Sequence, residues 1–361
     1  MAVLPAIADP TLDAVRAAVE QRAAAEEPRT YLGMSEIGRP CERQLWYGFR
    51  WAAREQFTAD TLWRFEDGHR SEDVMAGRLR LVPGVTLRTV DPRTGQQFAF
   101  ADLAGHFRGH ADGMLTGLVQ APKTLHVWEG KATNEKKQAE LIKLKQTHGE
   151  KVALAKWDAV YYAQAVLYMA YSETTRHYLT CASPGARTMV GVRTETDLDA
   201  ARALRDKAER VVTSPEPPPR ISDNPSWFEC KFCPAHSVCH GGKLPAVNCR
   251  TCAHATPEMD GDGRWSCAFH KRDLTKAEQL AGCASHRYIP RLVTFAEVVD
   301  ADPAANWIEY RTADGRTFRN GDPATNSYTS AELRATDPAL LCDAGVEALR
   351  REFDGRIVEA A

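Results

Sequence analysis

The spacing of hydrophobic and polar positions predicts helices and strands in mixed order along the first two hundred residues. Leu62, Phe65 and Val74 recur at helical intervals, and Gly68 interrupts that pattern, which predicts a close backbone approach there. This order of elements predicts an α/β domain built on a mixed central sheet flanked by helices. The predicted helical segments are 11–26, 33–51 (which begins with a turn), 60–81 and 134–171, and the predicted strands are 96–112, 125–132, 176–182 and 187–193.

Four segments are predicted along the chain. The run SPEPPPR at 214–220 is incompatible with a regular helix or a central strand, so it separates the α/β domain from a cysteine-rich region. Further on, a hairpin turning at Asp314-Gly315 and a helix over 337–353 are predicted. The segments are an N-terminal helical segment at 1–30, the α/β domain at 31–240, a cysteine-rich module at 241–295 and a hairpin-and-helix extension at 296–361.

The strand at 125–132 carries charge where a buried strand would be apolar. Alternate residues of a strand share a face, so Leu125, Val127, Glu129 and Lys131 are predicted to project together. An acid and an amine then end an apolar face. Burying such a pair is costly unless each charge finds a partner or a metal ion.

Asp112 lies near the end of the preceding strand and supplies a second carboxylate. Asp112 and Glu129 could hold Mg²⁺ or Mn²⁺ between them, with the Gly130 carbonyl close to the ion, because hard cations take oxygen ligands. Lys131 could orient or help deprotonate an attacking water and offset charge on a phosphate. This pattern is what a metal-dependent phosphodiester hydrolase needs. The alternative is a solvated strand edge, which is the usual setting of an isolated Glu-x-Lys.

Composition adds few restrictions. The 361 residues are 43% hydrophobic and 26% charged, and the formal net charge of −2 does not by itself indicate a nucleic-acid partner. No run of apolar residues approaches the length of a membrane span, and the start MAVLPAIADP lacks the pattern of a secretion signal. We therefore expect a soluble cytoplasmic protein with no membrane partner.

Eight of the ten cysteines fall into patterned positions, which favours metal binding over disulfides in a chain of this size. Cys230, Cys233 and Cys239 would leave a tetrahedral site one ligand short, and thiolates alone suit either iron–sulfur or zinc. Cys181 and Cys342 are left over. The second set, which predicts a structural Zn²⁺ site, is Cys249, Cys252, Cys267 and Cys283; His254, His270 or His286 could replace a thiolate, and free thiols are the alternative.

The chain resembles the PD-(D/E)XK nuclease superfamily over residues 31–240. The leading element is Gly109-His-Ala-Asp112, which lacks the usual proline, and the second element is Glu129-Gly-Lys131. Gln164 and Tyr168 are similar to the Gln-x-x-x-Tyr motif of RecB-type domains, which implies that they contact DNA or brace the site. Gly68-His-Arg-Ser-Glu72 resembles the Gly-x-x-x-Glu helix of lambda-type exonucleases, which implies that Glu72 is a further acid near the metal, with His69 as the alternative.

The resemblance extends to iron–sulfur members such as AddB and the CRISPR adaptation exonucleases. It implies that Cys41 joins Cys230, Cys233 and Cys239 to hold a [4Fe–4S] cluster, with His236 and His240 as alternative ligands. The implied fold is restriction-endonuclease-like, and the implied activity is metal-dependent DNA exonuclease in recombination, repair or phage DNA processing. No helicase P-loop is present, so unwinding would need a helicase or recombination partner protein.

Two other function classes stay open. One is a catalytically silent nucleic-acid-binding adaptor on the same fold, and the other is an iron–sulfur redox protein. Lysines that follow the catalytic strand could track a phosphate backbone, although a solvated helix face explains any one of them equally well. These lysines are Lys131, Lys136, Lys137, Lys143, Lys145, Lys151 and Lys156.

Overall fold

A computed structural model describes residues 9–358. Helices precede, interrupt and follow the strands. The helices are α1 (Pro10–Ala25), α2 (Glu42–Phe49), α3 (Ala59–Arg80), α4 (Glu135–His148), α5 (Glu150–Trp157), α6 (Ala159–Tyr171), α7 (Leu198–Thr213), α8 (Phe228–Lys231), α9 (His236–Cys239), α10 (Lys276–Ala281), α11 (Ser330–Ala335) and α12 (Ala344–Glu352). The strands are β1 (Leu32–Gly33), β2 (Thr86–Arg88), β3 (Phe98–Asp102), β4 (Phe107–Ala111), β5 (Gly113–Thr116), β6 (His126–Ala132), β7 (Arg176–Ala182), β8 (Met189–Glu195), β9 (Ala255–Pro257), β10 (Trp265–Cys267), β11 (Arg272–Asp273), β12 (Ala296–Asp302), β13 (Trp307–Thr312), β14 (Thr317–Asn320) and β15 (Ser327–Tyr328).

The central sheet has five strands in the order β2-β5-β6-β7-β8. Strands β6 and β7 pair in parallel, whereas the other neighbours pair antiparallel. The parallel step is possible because helices α4, α5 and α6 carry the chain from β6 back to the start of β7. Helices pack on this sheet, so the predicted mixed α/β class is confirmed. Three smaller sheets are β1-β4-β3, β11-β10-β9 and β12-β13-β14-β15.

Strand β6 is covered on both faces. Residues His126–Gly130 are all buried, with Val127 in the core cluster that contains α6 and Trp128 in the cluster that contains Met75 of α3. Leu125 lies outside the strand and is exposed, so the predicted apolar face that began with Leu125 was wrong at that end. A central strand has neighbours on both sides and helices on both faces, which explains the continuous burial.

The main hydrophobic core crosses the predicted segment boundaries. Buried Trp46 of α2 and Phe107 of β4 belong to the same cluster as Trp265, Tyr288 and Tyr310 from the last third of the chain. The proline-rich stretch runs along this core, because the Ser214 carbonyl accepts the indole N–H of Trp46 at 3.0 Å. The C-terminal third thus packs against the central part of the chain.

The segment 96–112 forms a hairpin instead of one strand. Strands β3 and β4 pair antiparallel, and a tight turn over Leu103–Gly105 joins them. Asp102 starts the turn by accepting the Leu103 N–H at 2.6 Å, and Gly105 has φ +83°, which glycine adopts without strain. The Asp102 cap and the left-handed turn therefore divide the predicted strand into β3 and β4.

The segment 134–171, predicted as one long helical region, consists of three helices. Gly149 at φ +81° ends α4, and the Asp158 carboxylate accepts the N–H groups of Val160 and Tyr161 to start α6. Trp157 therefore lies on α5, a different helix from the one that carries Gln164. Hydrophobic periodicity alone does not reveal a helix break that is caused by an aspartate cap.

The C-terminal predictions divide in the same way. Strands β13 and β14 form the predicted hairpin, which turns at Gly315 with φ +89°. The predicted helix over 337–353 begins only at Ala344, because Leu341 and Cys342 interrupt it. Within residues 9–358, none of the helices has both the length and the apolar character needed to cross a bilayer.

Candidate active site and cysteine clusters

Asp112 and Gly130 meet where β4 gives way to β5. Strand β5 pairs with β6 so that Gly113 lies opposite Trp128, which sets Asp112 beside the end of β6. The Gly130 N–H donates a hydrogen bond to Asp112 Oδ2 at 2.9 Å. The sheet register alone therefore brings the two predicted motifs to one place.

Glu129 is held by two side chains and is 2% exposed. Its Oε1 accepts hydrogen bonds from Lys131 Nζ at 2.5 Å and from Gln164 Nε2 at 2.7 Å. Gln164 also donates to the Tyr168 hydroxyl at 3.2 Å, which in turn accepts the His110 N–H at 3.2 Å. Two residues one turn apart on α6 thus connect the carboxylate to the backbone of β4.

Glu72 reaches the same point from α3. A Cβ built on Gly130 would lie 3.2 Å from Glu72 Cγ and 3.1 Å from Met75 Cε, so the absence of a side chain at Gly130 lets α3 lie over this part of β6. All six side chains predicted for catalysis, and Gly130, are therefore gathered in one region. Gly68 differs from its prediction, because nothing lies within 4 Å of a Cβ built there.

Three neighbouring carboxylates make the region strongly acidic. Burial, and then the Asp112 carboxylate, raises the pKa of Glu129 to about 8 and that of Glu72 to about 7. Burial disfavours the charge on Lys131, but Glu129 and Asp112 more than offset it, so the pKa of Lys131 lies above its ordinary value. The region thus gathers three carboxyl groups around one ammonium, and ionising all three is costly without a further cation.

These residues fit a divalent cation by their donor chemistry. Glu129 Oε2 is buried and has no hydrogen-bond partner, and an unpaired carboxylate oxygen at an acidic, buried point is what a hard cation would satisfy. Across residues 9–358, no group of three or more His, Cys, Asp or Glu side chains is arranged to hold a metal ion. The Gly130 N–H occupies Asp112 Oδ2, and the side chains of Lys131 and Gln164 both occupy Glu129 Oε1.

Several of the predicted phosphate-tracking lysines have partners inside the protein. Lys137 pairs with Asp158 at 2.6 Å, Lys145 donates to the Gly191 carbonyl at 2.6 Å, and Lys151 pairs with Glu195 at 2.5 Å. Lys136 is exposed and lies on the first turn of α4. The structure therefore favours the solvated or structural interpretation for three of these lysines.

The first cysteine set surrounds one small cavity. Cys41 precedes α2, Cys230 lies in α8, Cys233 follows it and Cys239 ends α9, and all four line the cavity with Arg43 and Arg220. Arg43 Nη1 lies 3.9 Å from Cys239 Sγ. Thiols that share a cavity with two guanidinium groups fit an anionic, thiolate-bound group.

The second cysteine set surrounds a separate cavity of about 70 Å³. Cys249, Cys252, Cys267 and Cys283 all line it, as do His254, His270 and His286. Cys181 lies apart from both sets, buried in β7 with its sulfur 3.3 Å from the Thr133 hydroxyl oxygen. Cys342 also lies apart and donates its thiol to the Thr317 carbonyl at 3.1 Å.

Sequence reasoning missed two buried arginines and one aromatic contact. Arg50 and Arg250 are 2% and 1% exposed, and the Tyr161 ring lies 5.3 Å from Lys131 Nζ. Arginine is ordinarily a surface residue, so the pattern gave no signal for burial at Arg50 or Arg250. Only the tertiary contact associates Tyr161 with Lys131.

Comparison with known proteins returned distant structural likenesses alone. No protein-family model and no curated protein matches the chain. The protein titled SSO0001 shares 15% identity over 64% of this chain and 97% of its own, with a TM-score of 0.35. The alkaline exonuclease LHK-Exo from Laribacter hongkongensis shares 13% over 55% of this chain and 90% of its own, with a TM-score of 0.35, and its complex with dAMP shares 15% over 50% and 86%, with a TM-score of 0.36. Likeness at this level is too remote to identify an activity.

Proposed function

We propose that this chain is a divalent-metal-dependent deoxyribonuclease of the PD-(D/E)XK superfamily, acting as an exonuclease on DNA. One observation carries the proposal. Three carboxylates, from Glu72, Asp112 and Glu129, surround the Lys131 ammonium at the end of a central strand, and Glu129 Oε2 is buried without a partner. A structural ion pair needs one carboxylate for one ammonium, whereas further carboxylates beside it are costly to ionise and a bound cation would offset that cost.

Asp112 and Glu129, with the Gly130 carbonyl, would hold the ion, and Glu72 would add charge beside it. A bound Mg²⁺ or Mn²⁺ would supply an activated water and stabilise charge on the phosphate. Lys131 keeps its proton, because Glu129 and Asp112 raise its pKa, so its role is to orient the water and offset negative charge instead of acting as a base. Gln164 fixes the orientation of Glu129 through the 2.7 Å hydrogen bond.

The test is cleavage of end-labelled single- and double-stranded DNA with Mg²⁺, with Mn²⁺ and with excess chelator. We expect Lys131→Ala and Asp112→Asn to lose cleavage by about 100-fold or more, while the matched control Lys136→Ala retains it. Closed circular DNA should resist if the activity is exonucleolytic. Full-length DNA persisting with wild-type protein under every metal condition would contradict the nuclease and leave the nucleic-acid-binding adaptor.

We also propose that Cys41, Cys230, Cys233 and Cys239 hold a [4Fe–4S] cluster that ties the start of α2 to the segment after the proline-rich stretch. The shared cavity and the two arginines facing it support this assignment. The cluster would stabilise the fold and take no part in hydrolysis. Anaerobically purified protein should be brown and contain iron, and Cys233→Ser should lose both properties; iron-free, colourless protein would rule out the cluster.

The family's settings of recombination, repair and phage DNA processing remain within the proposal, as does a helicase or recombination partner. An iron–sulfur redox role would predict reversible electron transfer that is indifferent to Asp112 and Glu129. The DNA-cleavage assay with Asp112→Asn therefore separates the two functions.

A further inference from the structure

The second cysteine set is built from three separate parts of the chain. Cys249 and Cys252 lie at the ends of a single turn, Cys267 ends β10, and Cys283 follows α10. All four line one cavity, and Cys249 has the other three sulfurs as electrostatic neighbours. Cysteines that come from distant sequence positions to one cavity need a common cause.

Backbone donors point at two of these sulfurs. The His270 N–H donates to Cys267 Sγ at 3.4 Å, and the backbone N–H groups of His254 and Arg287 face Cys252. Hydrogen bonds to sulfur favour the thiolate over the thiol. Burial nevertheless raises the pKa of Cys252 to about 11, so these donors offset only part of the cost of a thiolate there.

Each nearby histidine has a contact at its Nε2 atom. His286 Nε2 lies 3.2 Å from the Thr251 hydroxyl, and His254 Nε2 lies 2.7 Å from Asn306 Oδ1. His270 Nε2 lies 3.7 Å from Cys283 Sγ, which places it as a hydrogen-bond partner of that sulfur. The buried Nδ1 atom of His286 has no partner, but the four sulfurs form a complete tetrahedral set without it. The four side chains as they stand are not arranged around an ion, and Cys249 Sγ donates to the Glu278 carbonyl at 3.3 Å, so binding requires at least this thiol to rotate toward the cavity.

Two buried arginines lie next to the turn that carries Cys249 and Cys252, although neither lines the cavity. Arg250 donates to the carbonyls of Phe49 and Thr30, and its neighbour Arg50 donates to the carbonyls of Arg250 and Ala255. The two arginines thus fix the turn and the first residue of β9 to the end of α2.

We propose that Cys249, Cys252, Cys267 and Cys283 hold one Zn²⁺ ion that fixes the β9–β10 hairpin against the turn preceding β4. The four thiols give up their protons as the ion binds. Zn²⁺ suits a closed set of four thiolates, because a structural zinc site needs no open coordination position. The inference does not depend on the nuclease activity.

The hairpin contacts the nuclease region at its backbone. The Gly263 N–H donates to the Ala104 carbonyl at 2.6 Å, and His106 Nε2 lies 2.9 Å from the Glu258 carbonyl. His106 directly precedes β4, which leads to Asp112. A zinc ion that orders the hairpin would therefore also order the approach to Asp112.

The experiment is metal analysis of the full chain purified from zinc-replete cells. We expect about one zinc per wild-type chain, loss of that zinc in Cys252→Ser, and retention in the controls Cys342→Ser and His270→Ala. Replacement by Co²⁺ should give the absorption bands of a tetrahedral thiolate site, and X-ray absorption should give zinc–sulfur distances of about 2.3 Å. These spectra test the wild type directly, even if Cys252→Ser folds poorly.

Hydrogen exchange tests the second half of the proposal. In Cys252→Ser, amides of residues 103–111 should exchange faster than in Cys342→Ser, while α12 should exchange equally in both. Zinc-free wild type, iron in place of zinc, or zinc retained by Cys252→Ser would overturn the site. Unchanged exchange at 103–111 in a zinc-free variant would overturn its role in docking the hairpin.

Discussion

At the single-residue scale, the ionised form of Glu129 costs stability. Burial, and then Asp112, raises its pKa to about 8, so the folded protein holds a proton that the unfolded chain releases near a pKa of 4.5. Stability from this group is present below about pH 4.5 and is lost as pH rises through about 8. A side chain selected only for stability would be neutral at this position.

The variant Glu129→Gln should therefore gain stability relative to wild type as pH rises. Without metal, we expect the difference in free energy of unfolding to grow by about 1–3 kcal/mol between roughly pH 5 and pH 8. Urea unfolding with chelator present measures it, with the exposed Glu140→Gln as a matched control. A difference that is flat across this range would show that Glu129 titrates normally.

Metal affinity should rise with pH for the same reason. The cation competes with protons for Glu129 and Glu72, whose pKa values are raised to about 8 and about 7, so Mn²⁺ should bind more tightly at about pH 8 than at about pH 6. Calorimetric titration of wild type measures this, and Asp112→Asn should bind weakly at both values. Equal wild-type affinity at the two pH values would contradict the assignment of these carboxylates.

At the scale of the element, two glycines near α3 have opposite roles. A Cβ at Gly130 would crowd Met75 Cε and Glu72 Cγ, whereas a Cβ at Gly68 would meet nothing. Both glycines interrupt regular hydrophobic patterns, so those patterns alone do not distinguish their roles. Their surroundings depend on how α3 lies across β6.

Alanine substitutions should separate the two positions. Gly130→Ala should cost about 1 kcal/mol of stability and reduce cleavage by displacing Glu72, whereas Gly68→Ala should stabilise α3 by about 0.5–1 kcal/mol. Thermal unfolding and the DNA-cleavage assay measure the two effects. If both variants behaved alike, the close packing of α3 on Gly130 would be disproved.

At the scale of the whole molecule, the core does not end at residue 240. Trp265, Tyr288 and Tyr310 belong to the same buried cluster as Trp46 and Phe107. The prediction of a separate segment at 31–240 rested on the proline-rich stretch, but such a stretch can also run along a shared core.

Truncation tests this continuity. A chain ending at residue 240 would leave Trp46 and Phe107 without their later partners, so we expect loss of cooperative unfolding, or a melting temperature lower by about 5–10 °C for about 2–3 kcal/mol lost. A chain ending at Asp343, which lacks only α12 and the residues after it, should change far less because α12 has no buried residue. Equal melting of the chain ending at 240 and the full chain would establish an autonomous domain.

Four features of this protein could be predicted from its sequence. They are the mixed α/β class, most element positions, the motif residues around Asp112 and Glu129, and the grouping of eight cysteines into two sets. The positions of helices and strands follow from local hydrophobic periodicity. The motif residues and the cysteine spacings are recognisable because few other kinds of site require them. Local signals also explain some errors, since Asp102 and Asp158 cap turns that interrupt a continuous hydrophobic pattern.

Which side chains become neighbours depended on the tertiary structure. The partnerless Glu129 oxygen, the burial of Arg50 and Arg250, and the docking of the β9–β10 hairpin before β4 all join residues far apart in sequence. Burial and electrostatic coupling depend on distances across the folded chain, and a linear pattern does not encode them residue by residue. Local patterns therefore predicted which residues would carry charge, and the fold set the charge balance among them.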